Sequence, residues 1–337
     1  MPDAILGGSP ALRKLRSALP HLASDLKPIV IVGEIGTGKS LLASRIHALS
    51  TLKSNAAETI NFSTMSERDQ RIAALGGGPP ELTTTRQSIL ERSTTVLLKQ
   101  VHCASHYLQE QLAQILIRRR LDRPGSNEER LVNCRFLFFF EEPPSGLAQT
   151  GCLASSLSSF IIQCKTIVLP PLRKRREDIP VLANHFLERA IACADVPINS
   201  RPNLTSDLLD FLMTQRWGEN VLQLKAFIVA LVAPPFNVLL SHSERIEVIK
   251  MALMIEEGRE FSLKQSLARI EACVVSRALA KFSGCQSKAA QLLGTTDRSI
   301  RHLQETLTRS FVFVVSTSIF HCIIEYADQL PDLSDLF

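Results

Sequence analysis

A chain of 337 residues, 45% hydrophobic and 21% charged, has the composition of a globular protein of two or three domains with a sizeable core, and excludes a disordered or fibrous one. It shows no apolar run of about 20 residues to cross a bilayer and no secretory pattern at Met1, so a cytoplasmic protein without a membrane partner is expected. The net charge of +5 is modest, and the eight cysteines form neither a CxxC pair nor an interleaved Cys/His pattern, which argues for buried reduced thiols rather than a zinc site or disulfide framework.

In chain order, residues 28–32 (PIVIV) form a β-branched run closed by Gly33, and residues 40–49 (SLLASRIHAL) continue with helical apolar spacing. Further strands are expected at 95–98 (TVLL), 134–140 (CRFLFFF) and 165–169 (KTIVL). Helical patterns such as YLQEQLAQILIRRR separate them, which predicts a parallel sheet covered by helices, an α/β domain over residues 1–170. After Pro170 and Pro171 the pattern becomes helical at 176–194, 205–215 and 219–232, giving a small helical domain over 171–235. Residues 236–262 read as a linker, 263–309 as a compact all-α unit, and 310–337 as a tail of no evident role.

Between the first strand and its helix lies GEIGTGKS. Gly33, Gly36 and Gly38 permit a tight backbone that aims N–H groups at phosphate oxygens, with Glu34, Ile35 and Thr37 completing the loop. Lys39 adds a point charge, and the Ser40 hydroxyl is a candidate magnesium ligand. The expected ligand is therefore ATP. The competing reading is a glycine turn kept because it suits the fold.

Near the other end, residues 263–309 carry eight basic and three acidic residues, which points to a polyanion partner there. Leu263, Leu267, Ile270, Val274 and Ala278 make one apolar stripe, a seam for a dimer or a core. QSKAAQLLG then gives a short helix ending at Gly294, and TTDRSIRHLQETL begins a second with Thr295 or Thr296 as its cap. Ile300, Leu303 and Leu307 take its inner face, leaving Arg298, Ser299, Arg301 and His302 outward near its start, as a recognition helix needs for the major groove of double-stranded DNA. A structural helix pair with solvated arginines is the alternative.

The chain resembles the AAA+ transcription activators that act on sigma-54 RNA polymerase. ILGGSPALRKLRSAL (5–19), GEIGTGKS, LPPLRKRREDIPVLANHF (169–186) and RWGENVLQLKAF (216–227) carry the resemblance, together with a Fis-like helix-turn-helix in which AAQLLG is the clearest match. It implies a P-loop AAA+ sheet domain with a helical lid, a homodimer or higher oligomer, and contacts with related activators or sigma-54 RNA polymerase; for this chain no N-terminal sensor domain is expected.

The departures are systematic. The family's Asp-Glu pair, which holds magnesium and polarises the attacking water, is replaced by Lys99 and Gln100. The stretch before LPPLR, where the family's arginine pair reaches into a neighbouring subunit, has no arginine over residues 151–164. The lid arginine falls at Leu222, and the polar pair of the next strand near Phe140 and Glu141. RIAALGGGPPELTTT has no counterpart of the sigma-contacting GAFTGA loop. These changes lead to the expectation of a DNA-binding regulator that binds ATP without hydrolysing it or remodelling sigma-54. Two alternatives remain: an ATPase using a displaced base such as Glu141, or a subunit that inhibits rings of intact relatives. Glu141 and Glu142, before a Pro-Pro pair, read equally as a solvated loop.

Overall fold

The computed structural model describes residues 5–76, 88–122, 129–193 and 202–232, with a few isolated positions between 246 and 291. These fall into two compact units. One runs as far as Asp178 and takes back Glu219–Val221; the other holds Ile179–Gly218 and continues from Leu222.

In the first unit, α1 (Pro10–Ser24) starts with proline at its first turn and buries Leu12, Leu15, Leu19 and Leu22, a spacing of three and four that puts them on one face. β1 (Ile29–Val32) follows, then α2 (Lys39–Ala48), β2 (Glu58–Asn61), α3 (Glu67–Leu75) and β3 (Thr95–Lys99). After α4 (His106–Arg118) come the antiparallel pair β4 (Arg120–Asp122) and β5 (Glu129–Leu131), then β6 (Arg135–Phe140), α5 (Pro144–Gln149), α6 (Ser155–Gln163) and β7 (Lys165–Val168).

The main sheet has five strands in the order β2-β3-β6-β1-β7, and every pairing in it is parallel. β1 and β6 are buried along their whole length because both faces are covered. Val30, Val32, Phe136, Phe138 and Phe140 enter one core; Ile29, Ile31, Leu137 and Phe139 enter the other, as the alternation of side chains along a strand requires. Parallel pairing brings the carboxyl ends of all five strands to one edge, where an open α/β sheet places its ligands.

Two further ties hold the first unit together over long sequence distances. Arg135, 1% exposed, donates to the carbonyls of Leu22 and Ala23 and so satisfies the last turn of α1. Asp178 is fully buried and accepts from the backbone N–H of Ser9 at 2.8 Å and from its hydroxyl at 2.7 Å.

In the second unit, α7 (Ile179–Cys193) and α8 (Ser206–Thr214, capped by Thr205) precede Trp217. The Trp217 indole N–H donates to the Leu212 carbonyl at 2.9 Å, and its ring meets that of Phe227 edge-on at 6.0 Å. Phe227 lies on α9 (Asn220–Ala230), whose first two residues belong to the first unit.

Strand β2 and the pair β4–β5 were not expected. In β2 only Ile60 is fully buried, as suits an edge strand, and β4–β5 carries Arg120, Glu129 and Arg130, so neither shows the apolar signature that marks a core strand. The expectation of buried cysteines also needs correction. Cys134 is buried, but Cys103, Cys152 and Cys193 are exposed and Cys164 is intermediate, all as free thiols. Scattered spacing gives no sign of a metal site or disulfide framework, and it does not report burial; Cys273, Cys285 and Cys322 lie outside the described residues.

Candidate functional site

The glycine loop leaves β1 at the sheet's carboxyl edge. Gly36 and Gly38 adopt φ of 72° and 99°, in the region that favours glycine. Gly33 serves another purpose: a Cβ there would stand 2.8 Å from the Thr37 hydroxyl and 3.1 Å from the Leu169 carbonyl oxygen. Its missing side chain lets the chain after β7 close against the loop, with Leu169 N–H donating to the Val32 carbonyl at 2.8 Å. Gly38 caps α2 without a side-chain hydrogen bond, so the first N–H groups of the helix keep the character of an anion site.

Lys39 opens α2 and turns back over the loop. Its ammonium donates to the carbonyl of Gly33 and to that of Glu34, the latter at 2.9 Å. Burial lowers its pKa, opposed by the negative charge of Glu141 and reinforced by the positive charge of Lys99. Ser40 follows in the first turn, half-buried. Thr37 donates through its hydroxyl to the Glu34 carbonyl at 2.7 Å, while Ile35 is exposed.

Three residues that sequence reasoning did not single out hold this loop. Arg173 forms a two-pronged pair with the Glu34 carboxylate at 2.6 and 2.5 Å, and this pairing carries the Glu34 pKa down to about 2. Arg175, 4% exposed, donates to the Thr37 carbonyl at 2.8 Å. Asn220 is fully buried at φ 55° and accepts from Leu172 N–H at 2.7 Å; its amide donates to the Ile35 carbonyl at 2.8 Å and to Glu34 at 3.2 Å. Val221 N–H reaches the Gly36 carbonyl at 3.0 Å. Their sequence signal was the motifs LPPLRKR and WGEN, read for family likeness rather than for contacts with the loop.

The strands beside the loop end in Lys99 and Phe140. Lys99 is half-buried, its pKa lowered by burial, with its ammonium 5.9 Å from the centre of the Phe139 ring. Gln100 takes the left-handed conformation at φ 52° and donates through its amide to Glu141 Oε1 at 2.9 Å. Glu141 is thus at the loop's edge of the sheet, and its charge is felt by Lys39. His102 stacks on Phe140 at 6.0 Å.

This donor set suits phosphate oxygens and does not suit magnesium. A P-loop metal is held by the loop's Ser or Thr and a carboxylate on the neighbouring strand. Here the strand offers an ammonium and an amide, and the nearby Glu141 already accepts from that amide. Among the described residues no group of three or more His, Cys, Asp or Glu is placed to hold a metal ion.

Leu222 lies on α9, and most of the arginine-free stretch 151–164 forms α6. Residues 77–87, which include most of the segment expected to lack the GAFTGA loop, lie outside the described residues, as do Arg298, Ser299, Arg301, His302 and the tail.

Parallel strands in this order, a glycine loop between β1 and α2, and a second helical unit define a P-loop protein of the AAA+ class. Residues 5–161 match the model of the sigma-54 interaction domain, and residues 173–262 that of the AAA+ ATPase lid domain. These matches give the chain a sigma-54 interaction domain followed by an AAA+ lid domain. The chain is 26% identical over 302 residues to the transcriptional regulatory protein ZraR of Escherichia coli K12, covering 88% of this chain and 67% of the relative. To the Psp operon transcriptional activator of the same organism it is 25% identical over 322 residues, covering 89% and 97%. Among solved structures, NtrX from Brucella abortus in complex with ATP shares the fold, with a TM-score of 0.62 and 22% identity, covering 90% of this chain and 69% of that one.

Proposed function

We propose that this chain is a cytoplasmic, DNA-binding transcription regulator that binds ATP at residues 33–40 and neither hydrolyses it nor remodels sigma-54. The observation that carries the reading is the contrast between two neighbouring pieces of one edge. The loop keeps its left-handed glycines, its lysine and a set of buried supports, whereas Gln100, where a base would stand, is an amide tied to Glu141. An amide cannot take a proton from water, and no arginine lies in residues 151–164 to reach a neighbour's nucleotide. The crystallisation of NtrX with ATP supports nucleotide binding by the shared architecture.

The domain assignment belongs to the same proposal: residues 1–170 bind nucleotide, 171–235 supply the main helices of the lid, 236–262, the last part of the lid-domain match, lead on from them as the link, and 263–309 read double-stranded DNA through Arg298, Ser299, Arg301 and His302 as a dimer or higher oligomer. The test is nucleotide binding and turnover on one purified sample. ATP binding lost in Lys39→Ala, with hydrolysis no faster than that variant's background, is the expected result. Turnover of about 1 per second, ordinary for an enzyme, that depends on Lys39 would overturn it. If that turnover were also lost in Glu141→Gln, Glu141 would be a displaced base, a reading favoured by its field at Lys39.

A further inference from the structure

We infer that Lys99 takes the place of the metal, so that this site binds a nucleoside triphosphate without magnesium. The inference rests on the nucleotide-binding reading above and adds the source of the second positive charge.

The placement comes from strand register. Lys99 pairs with Phe139 across β3 and β6, and the next residue of β6, Phe140, pairs with Val32, the last residue of β1 before the loop. Gly33 N–H donates to the Phe140 carbonyl at 3.0 Å. Lys99 therefore begins two inter-strand spacings from the loop, about 9.5 Å, a gap that its long side chain and a phosphate chain can fill together.

The charges around this space are unbalanced. Lys39 and Lys99 are both half-buried, and the positive charge of Lys99 is felt at Lys39. Glu34 is committed to Arg173 and Asn220, which leaves Glu141, held by Gln100, as the carboxylate that both bears on Lys39 and is not paired with an arginine. A divalent cation added to two ammonium groups would meet repulsion. A polyphosphate brings the negative charge that they lack. A lysine also supplies three rotatable donors as a point charge, which is how loop lysines hold phosphates.

The test uses the full chain and an ATP analogue with a fluorescent ribose, titrated in excess EDTA and again in millimolar magnesium, with thermal melting to show that each variant is folded. Wild type should bind equally well in both media. Lys99→Met should bind roughly tenfold or more weakly in EDTA, the scale of one hydrogen bond between charged groups. Lys99→Asp should bind only when magnesium is present. Binding by wild type that requires magnesium, or an unchanged affinity of Lys99→Met in EDTA, overturns the inference while leaving nucleotide binding intact. No binding by folded wild type in either medium overturns both.

Discussion

Gln100 and Glu141 meet at the ends of neighbouring strands, amide nitrogen to carboxylate oxygen at 2.9 Å. The pair depends on one partner being neutral. In Gln100→Glu two carboxylates would face each other, and one would hold its proton to a higher pH than usual. A raised pKa in the folded state gives stability present at low pH and lost as pH rises through it. The variant should therefore match wild type near pH 4 and melt lower at pH 8, by about 1 kcal/mol or less for so exposed a pair. Melting curves across that range check it.

Glu34 and Arg173 give the opposite pH dependence. The folded-state pKa of Glu34 is about 2, below its ordinary 4.5, so the pair's contribution is complete above pH 4.5 and is lost as pH falls toward 2. Both side chains are about two-fifths exposed, which limits the effect to about 1 kcal/mol after solvent screening. The difference in melting temperature between wild type and Arg173→Ala should be greatest near neutrality, shrink between pH 4.5 and 2, and be smaller in 1 M salt. A constant difference would mean that Arg173 acts through packing alone.

Asp178 should matter more, because it is fully buried and its two bonds to Ser9 are hydrogen bonds to a charged group. Asp178→Ala should lower unfolding stability by about 3 kcal/mol. Gly7→Ala should also destabilise, since Gly7 sits at φ +127° and a Cβ would stand 2.6 Å from the Asp178 carboxyl. Urea titration should show a lower midpoint with an unchanged slope in both. In the double variant the two losses should fall short of their sum, because they disrupt one contact.

The DNA proposal gives separable outcomes for two kinds of basic residue. In the full chain, Arg298→Ala or Arg301→Ala should cost about 1 to 3 kcal/mol on the best-bound sequence and relax preference at one base pair. Lys281→Ala or Lys288→Ala should weaken all sequences alike and reduce the salt dependence by about one unit of slope per lost phosphate contact. Equal binding to specific and scrambled DNA, unchanged by either arginine substitution, would remove the recognition helix.

The central strands were legible because burial on both faces makes a continuous apolar run such as IVIV or RFLFFF, and the loop because glycine spacing is dictated by backbone conformation. β2 was not, since three of its four residues are not fully buried and an edge strand needs no apolar alternation. The replacements at Lys99 and Gln100 were visible by position. The hydrogen bond from Gln100 to Glu141 was not, because it joins residues 41 apart and depends on two strand ends coming level. The supports at Arg173, Arg175 and Asn220 were hidden for the same reason: each reaches the loop from more than a hundred residues away.

The bond between Ser9 and Asp178 also sets a clock. The two residues are separated by 169 positions, and Arg135 reaches the end of α1 from 112 and 113 positions away. At roughly 5 to 20 residues per second of synthesis, the first helix is made about 10 to 30 s before the aspartate that anchors its start. Through that interval the nascent chain carries the apolar face of α1 without its final lock, so a ribosome-bound chain stopped before residue 178 should be far more open to protease near its amino end than one carried past it.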